Sequence, residues 1–100
     1  MKKYKVVVQE LAKTDIRGAR RWYNDQQPDL GKRLTAEMTA TLRQIARNPT
    51  SFAIRYKQVR LAHFTTFPYA AHFHSDTAAS TVYVLAFMHT SRHPDTPKDR

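Results

Sequence analysis

The chain has 100 residues, a length that is enough for one compact domain and too short for two. Its hydrophobic residues, 41% of the chain, are typical of a packed domain. Seventeen Lys and Arg against eight Asp and Glu give a formal charge of +9, which favours an anionic partner such as nucleic acid, a ribosome or an acidic protein. The absence of Cys excludes disulfides, thiol catalysis and thiolate zinc sites, and the apolar run at residues 6–8 is too short for a signal peptide or a membrane span. We therefore expect a cytoplasmic protein without a membrane partner.

The first quarter of the chain predicts a strand followed by a helix. Residues 4–9 are rich in β-branched side chains that alternate with a period of two, as in a strand. From Glu10 the apolar residues recur at helical spacing, and the helix should end before Pro28, because proline disfavours helical geometry in the residue before it. Trp22 and Tyr23 near the end of this helix are expected to pack against a second helix.

That second helix should follow within a few residues and complete a helical hairpin. Asp29 is suited to be its N-cap, and the pair Asn48-Pro49 ends it. Its apolar positions form a stripe at helical spacing. The members of the stripe are Leu30, Leu34, Met38, Leu42 and Ile45.

The second half of the chain returns to a period of two and predicts three strands, at residues 55–64, 67–74 and 81–88. In the first of them Val59 and Leu61 are predicted to face the helices, which places Arg60 on the open face with Tyr56 and Ala62. The order β-α-α-β-β-β predicts an α+β fold, a mostly antiparallel four-stranded sheet with the helical hairpin on one face. We expect one domain over residues 1–95 and a tail over residues 96–100.

Several short motifs follow one another in a fixed order over residues 4–95. They are Tyr4-x-Val6, Ala12-x-x-Asp15-Ile16, Trp22-Tyr23, Leu30-Gly31-x-Arg33, Ile45-x-x-Asn48-Pro49, Val59-Arg60-x-Ala62, Phe67-Pro68-Tyr69 and Val84-Leu85-Ala86-x-x-His89-x-x-Arg92-x-Pro94. As an ordered set they resemble the RelE/ParE superfamily, the toxins of bacterial type II toxin–antitoxin pairs. The resemblance implies a small sheet with an open functional face, an activity that inhibits growth, and a cognate antitoxin as partner.

The resemblance implies two alternative mechanisms. RelE-like members cut mRNA on the ribosome, whereas ParE-like members poison DNA gyrase and have no such catalytic set. Arg60 matches the arginine of the family's second strand, and His89 and Arg92 match the end of the last strand, so these three are the predicted catalytic residues. The chain departs from the pattern at Ala70, where many members have Arg. We expect ribosome-dependent mRNA cleavage without metal or other cofactor. The alternatives are gyrase inhibition and a degenerate RNA-binding relative.

RNA cleavage without a metal gives these residues distinct roles. The reaction needs a base for the 2′-hydroxyl, a cation for the phosphate in the transition state and an acid for the leaving oxygen. Arg60 is suited to bidentate contact with phosphate, and His89 is suited to proton transfer because histidine titrates near neutral pH. Structural roles are the alternatives: an exposed strand arginine that keeps the sheet soluble, and a histidine hydrogen-bonded at a strand end.

Basic and aromatic side chains predict a nucleic-acid surface, shared by the first two sheet strands if these are neighbours. Its predicted members are Lys3, Lys5, Arg55, Tyr56, Lys57 and His72. His72 and His74 share one face of a predicted strand, a spacing that can place two imidazoles on a metal ion, and His63 is a possible third ligand. No carboxylate or thiol has an obvious place beside them, so we expect no metal site.

Overall fold

A computed structural model describes residues 3–91 of the chain. Two helices and five strands follow in the order β1 (Lys5–Val8), α1 (Glu10–Gln26), α2 (Leu30–Arg47), β2 (Ile54–Tyr56), β3 (Val59–His63), β4 (Tyr69–Asp76) and β5 (Thr81–His89), with a short 3-10 turn at Pro49–Ser51. The five strands form one sheet in the order β1-β5-β4-β3-β2, in which β1 runs parallel to β5 and the other neighbours are antiparallel. The predicted α+β class is confirmed, with five strands instead of four. The predicted tail at residues 96–100 lies outside the described residues.

The additional strand arises because the predicted strand at residues 55–64 is a hairpin of β2 and β3. Lys57 and Gln58 form its two-residue turn, with φ angles of 40° and 67°. Turns of this kind usually contain Asn or Gly, since other residues adopt left-handed backbone only at a cost. Neither Asn nor Gly stands at residues 57–58, so the turn has no signal in the sequence and alternation alone predicts one continuous strand.

The hydrophobic core lies between the helical hairpin and one face of the sheet. Leu34 and Ile45 of α2 are fully buried there, and the remaining members of the predicted stripe pack at the edge of the core. From α1 the core receives Ala12, Ile16 and Ala19. The predicted apolar faces of both helices are thus the faces that meet the sheet. Neither helix in residues 3–91 has the length and hydropathy that crossing a membrane requires.

Strand β3 faces the opposite way from its prediction. Phe64, immediately after β3, packs in the core below the helices, whereas Val59 and Leu61 form a smaller cluster on the open face. Arg60 shares the side of Phe64 and pairs with Phe73, another core residue. The prediction that Val59 and Leu61 face the helices is therefore wrong. Alternation shows which residues share a face, and the bulky Phe64 decides which face is buried.

The junction of the two helices is closed by the side chain of Asn24, near the end of α1. Asp29 precedes α2 as predicted, but its side chain makes no capping hydrogen bond. Instead, the backbone N–H of Gly31 donates to Oδ1 of Asn24 on α1, over 2.9 Å. A Cβ at Gly31 would lie 2.5 Å from that oxygen, so a larger residue there would displace the Asn24 side chain and disturb this hydrogen bond.

A second side chain joins α2 to the loop between β3 and β4. The Glu37 carboxylate accepts hydrogen bonds from the backbone N–H groups of Thr66 and Phe67, over 2.9 and 3.1 Å. Burial alone would raise the pKa of Glu37. The hydrogen bonds from Thr66 and Phe67, helped by the charge of Arg33, outweigh burial and hold that pKa below its ordinary value.

Candidate functional site

Arg60, the first predicted catalytic residue, does not lie on the open face. Its half-buried side chain lies on the helix side of β3, where Nη1 donates hydrogen bonds to the carbonyl oxygens of Thr50, over 3.3 Å, and Phe52. These contacts hold the segment between α2 and β2 against the sheet. The predicted orientation of Arg60 is therefore wrong, and its catalytic role stays a prediction.

His89, the second predicted catalytic residue, lies at the end of β5 on the same side as Tyr69. The two residues pair across β4 and β5, and their ring centroids lie 5.3 Å apart in an edge-to-face arrangement. The His89 Nδ1 atom accepts a hydrogen bond from the backbone N–H of Ser91, over 3.1 Å. Because Tyr69 packs against the helix-side core, His89 also lies on the helix side. Arg92, the third predicted residue, lies outside the described residues.

The two described catalytic candidates are not brought together. Arg60 pairs with Phe73 of β4, and His89 pairs with Tyr69, four residues away on the same strand. That separation corresponds to roughly 13 Å along the strand direction, with β4 between the two residues. In addition, the guanidinium of Arg60 points towards Thr50 rather than along the sheet towards His89. The geometry described in residues 3–91 therefore contains no shared phosphate position for this pair.

The basic residues of the predicted nucleic-acid surface are divided between the two edges of the sheet. Strands β1 and β2 form opposite edges, with three strands between them. Lys3 and Lys5 lie near one edge, and Arg55 and Lys57 lie at the other, roughly 19 Å away at the usual strand spacing. The condition for one shared surface is not met, because β1 pairs in parallel with β5 and not with β2, and the nucleic-acid-binding roles of these residues stay predictions.

Tyr56 and His72, by contrast, meet on the open face. The Tyr56 hydroxyl and His72 Nδ1 are 2.9 Å apart, and the tautomer of the imidazole decides which atom donates. His72 is only 2% exposed and pairs with Leu61 of β3. Val59 and Leu61 continue the surface as an apolar cluster. The open face therefore carries a hydrogen-bonded Tyr–His pair within apolar surroundings.

The remaining imidazoles lie outside this pair. His63 and His74 are both exposed. Within residues 3–91, no group of three His, Cys, Asp or Glu side chains is placed to hold a metal ion. On the open face the apolar cluster and His72 are buried, so the half-buried Tyr56 hydroxyl, hydrogen-bonded to His72, is a polar group there that a ligand could reach.

Comparison with known proteins assigns the chain to a family. The family model for the ParE toxin of type II toxin-antitoxin systems, parDE, matches residues 6–94. The chain belongs to this family. It is thus a toxin of a type II toxin–antitoxin system, and the resemblance predicted from the ordered motifs is confirmed.

Solved structures show that the fold of this toxin recurs at low sequence identity. The chromosomal ParDE toxin–antitoxin system from P. aeruginosa is 12% identical, with a TM-score of 0.75 over 87% of this chain and 96% of that chain. The toxin–antitoxin complex RelBE2 from Mycobacterium tuberculosis is 19% identical, with a TM-score of 0.62 over 87% of this chain and 98% of that chain. No curated protein matches the sequence at a significant level. At such identities the structural likeness concerns the fold alone.

Proposed function

We propose that this toxin stops growth by binding DNA gyrase rather than by cutting mRNA, and that a cognate antitoxin neutralises it. The position of Arg60 carries the proposal, because its guanidinium is bonded to backbone carbonyls on the helix side and not presented on the open face. Membership of the ParE branch supports it as well, since the resemblance to that branch implies gyrase as the target. Gyrase inhibition thereby replaces mRNA cleavage as the preferred mechanism.

The chemistry of RNA cleavage supports the same choice. A nuclease built on Arg60 and His89 requires both side chains at one scissile phosphate. The two residues lie on different strands, roughly 13 Å apart along the sheet, and the His89 ring packs edge to face against Tyr69. A toxin that acts by binding requires no such convergence.

An antitoxin partner is supported by the comparisons and by charge. The two similar structures described above are a ParDE toxin–antitoxin system and the RelBE2 toxin–antitoxin complex. The formal charge of +9 favours association with an acidic protein through long-range attraction. We therefore assign the role of neutralising partner to an acidic antitoxin.

The test follows DNA synthesis and protein synthesis separately after induced expression in a bacterial host. We expect DNA synthesis to stop first, and we expect the purified toxin to inhibit supercoiling by purified gyrase. Primer extension on ribosome-bound mRNA should show no new ends. Cleavage of that mRNA by the wild-type toxin, together with normal gyrase supercoiling, would refute the proposal.

Two variants separate the mechanisms at the level of residues. His89→Ala and Arg92→Ala remove the predicted proton-transfer and phosphate groups of a nuclease. Under gyrase inhibition both variants should keep the growth defect when their protein levels equal that of the wild type. Loss of toxicity in both, at an unchanged melting temperature, would favour the nuclease instead.

A second candidate function, RNA cleavage on the open face, is favoured by the contact between Tyr56 and His72. The two polar atoms are 2.9 Å apart, and because His72 is only 2% exposed, the half-buried Tyr56 is the member of the pair that could contact RNA. The exposed Arg55 and Lys57 are next to Tyr56 in the chain. Tyr56→Phe keeps the ring and removes the hydroxyl, so it should abolish primer-extension products if this pair is catalytic. The absence of such products with the wild-type toxin excludes this candidate.

A further inference from the structure

Helix α1 carries a row of cations on the flank that meets α2. The Asn24 side chain accepts a hydrogen bond from the backbone of α2, over 2.9 Å, and so marks that flank. Asp15 accepts one from the backbone N–H of Phe87 on β5, over 3.1 Å, and marks the other flank. The two residues are nine positions apart, a rotation of about 180° that agrees with opposite flanks. The exposed cations of α1 within about 40° of Asn24 are Lys13, Arg17 and Arg20.

Helix α2 carries a second row of cations on its solvent side. Arg43 follows the buried Leu34 by nine residues, a rotation of about 180°, and therefore lies on the side away from the sheet. The exposed cations of α2 on this side, within about 60° of one another, are Lys32, Arg43 and Arg47. We call the six cations of the two rows the basic face of the hairpin.

The carboxylates of the hairpin lie outside the basic face or at its ends. Asp15 and Glu37 both accept hydrogen bonds from backbone N–H groups, Asp15 beside β5 and Glu37 beside the loop after β3. Asp25 lies one turn after Arg21 and further from α2 around α1, so these two charges offset each other. The two carboxylates that border the basic face, one at each end, are Glu10 and Asp29. The basic face therefore keeps an excess of positive charge.

The basic face has no large apolar residue that could anchor a protein partner. The large hydrophobic residues that are exposed within residues 3–91 are Leu11, Trp22 and Ile54. The first two lie on the β5 flank of α1, and Ile54 lies on β2. Between the cations of α2 stand the exposed Ala36 and Ala40. Protein interfaces are centred on apolar and aromatic anchors, whereas cations and small polar contacts bind a phosphate backbone. This composition favours nucleic acid over an acidic protein.

Trp22 lies outside the contact between the two helices. Its ring is 58% exposed and lies edge to face on Tyr23, with centroids 5.0 Å apart. The prediction that Trp22 packs against the second helix is therefore wrong. Tyr23, in contrast, packs against the core cluster that includes Leu34 of α2.

The length of the basic face suits the backbone of a nucleic-acid duplex. Lys32 and Arg47 are about 22 Å apart along α2. The second row lies on α1, at the distance of roughly 8–10 Å that separates the axes of packed helices. Duplex DNA carries one negative charge per about 1.7 Å of its axis, so a contact of this length faces about 13 phosphates. Six long cationic side chains therefore meet an excess of phosphates.

From these features we propose that the basic face of the hairpin binds the phosphate backbone of duplex DNA. The toxin thereby engages gyrase that is loaded with DNA, and the DNA provides the anionic part of the contact surface. Contacts to phosphate carry no sequence information, so the toxin binds duplexes of different sequence equally well. The choice of DNA over RNA rests on the proposed gyrase target.

The first test measures binding of the purified toxin to a fluorescent DNA duplex of about three helical turns, without gyrase, by anisotropy at several salt concentrations. Four to six phosphate contacts should give a slope of log affinity against log salt of about −4 to −5. Arg43→Gln removes one contact, so this slope should become shallower by about 1 and Kd should rise about threefold to tenfold. Arg21→Gln is the matched control, because Arg21 is an exposed arginine of α1 outside the basic face. Its Kd should change by less than about twofold.

A second pair of variants adds the same charge inside and outside the basic face. Ala36→Glu places a carboxylate between the cations of α2, and Ala78→Glu places one on the turn between β4 and β5. Both alanines are exposed, so the melting temperatures should stay close to that of the wild type. Ala36→Glu should raise the Kd for DNA on the order of tenfold, and Ala78→Glu should bind almost as the wild type does. In a supercoiling assay, Ala36→Glu should also need a higher concentration than Ala78→Glu to inhibit gyrase.

The outcomes distinguish DNA from other occupants of the basic face. Undetectable or salt-independent DNA binding by the wild type would overturn the proposal, and so would equal losses of affinity in Ala36→Glu and Ala78→Glu. Tighter binding of an RNA duplex of the same sequence would assign the face to RNA instead. Loss of antitoxin affinity in Ala36→Glu, with DNA affinity unchanged, would assign it to the antitoxin. Equal gyrase inhibition by the two variants would refute a role of this contact at gyrase.

The gyrase mechanism and the DNA contact can fail separately. Salt-dependent DNA binding that Ala36→Glu weakens, together with normal supercoiling in the presence of the wild-type toxin, would refute the proposed function and support DNA binding by the basic face. Inhibition of gyrase by a toxin that does not bind DNA would support the proposed function and refute this inference.

Discussion

Replacement of Arg60 by Ala should lower the stability of the fold, because the side chain acts as a clamp. Its Nη1 atom donates to the carbonyl oxygens of Thr50 and Phe52. A hydrogen bond from a charged donor contributes about 1.5–3 kcal/mol, and we expect a total at or somewhat below the lower end of that range, about 1–2 kcal/mol. The reason is that both hydrogen bonds come from one nitrogen atom and that Arg60 is half-exposed. In Arg60→Ala, water can therefore donate to the carbonyl oxygens and replace part of the lost hydrogen bonding. In a domain of this size that loss lowers Tm by roughly 5–15 °C.

The measurement is thermal unfolding followed by circular dichroism for Arg60→Ala, Arg60→Lys and a control. Arg60→Lys keeps the charge but loses the planar guanidinium, so its Tm should lie between those of Arg60→Ala and the wild type. Arg55→Ala is the matched control, because Arg55 is exposed on the neighbouring strand. Its stability should change by less than about 0.5 kcal/mol.

The same series distinguishes a clamp from a catalytic group. If Arg60 acts on phosphate, Arg60→Ala should lose growth inhibition at wild-type Tm. If it clamps the segment that contains Thr50 and Phe52, Tm should fall, and the growth defect should decrease only as far as the amount of folded toxin decreases. An unchanged Tm with complete loss of toxicity would refute the clamp and return Arg60 to the active site.

Three further predictions concern stability. Leu34→Ala should destabilise by about 2–5 kcal/mol, and Leu42→Ala by clearly less, because Leu34 is fully buried and Leu42 only partly; equal losses in urea unfolding would contradict the assigned helix face. Glu37→Gln should destabilise at neutral pH, and since the folded-state pKa of Glu37 lies below its ordinary value of 4.5, the difference from wild type should persist above that pH and shrink as pH falls through the folded-state pKa. Chemical denaturation at several pH values measures it, and a constant difference would show that the carboxylate charge plays no part. Replacing Lys57 with Asn and Gln58 with Gly should raise the free energy of unfolding by on the order of 1–2 kcal/mol, because both positions have positive φ; a lower Tm would show that these side chains make stabilising contacts instead.

The helical half of the molecule was predictable because its signals are local. The predicted end of the first helix before Pro28 agrees with the observed end at Gln26, and Asn48-Pro49 ends the second helix as predicted. Proline acts through its own ring and its immediate neighbour, so a single position carries the information. The cap on Gly31 was not predictable in the same way, since its acceptor Asn24 belongs to the preceding helix.

The sheet was less predictable because its arrangement depends on contacts between distant residues. The alternation in β3 was recognised, but its orientation depends on Phe64 reaching the core below the helices. The separation of Arg60 from His89 follows from that orientation and from the register of β4. Tyr56 and His72 lie in segments that each show a strand pattern in the sequence. Their contact, however, depends on the turn between β2 and β3, which the sequence does not predict.

The parallel pairing of β1 with β5 affects how the toxin comes into being during synthesis. Lys5 leaves the ribosome long before its partner in the sheet, Thr81, because two helices and three further strands lie between them in the chain. Contacts between such distant residues form late and slow folding, because a long loop must close before they stabilise anything. Strand β5 also lies between β1 and β4, so without it the N-terminal strand has no neighbour in the sheet. A nascent chain that stops before β5 therefore lacks the strand that joins β1 to the rest of the sheet. We expect the sheet to fold cooperatively, once β5 has been made.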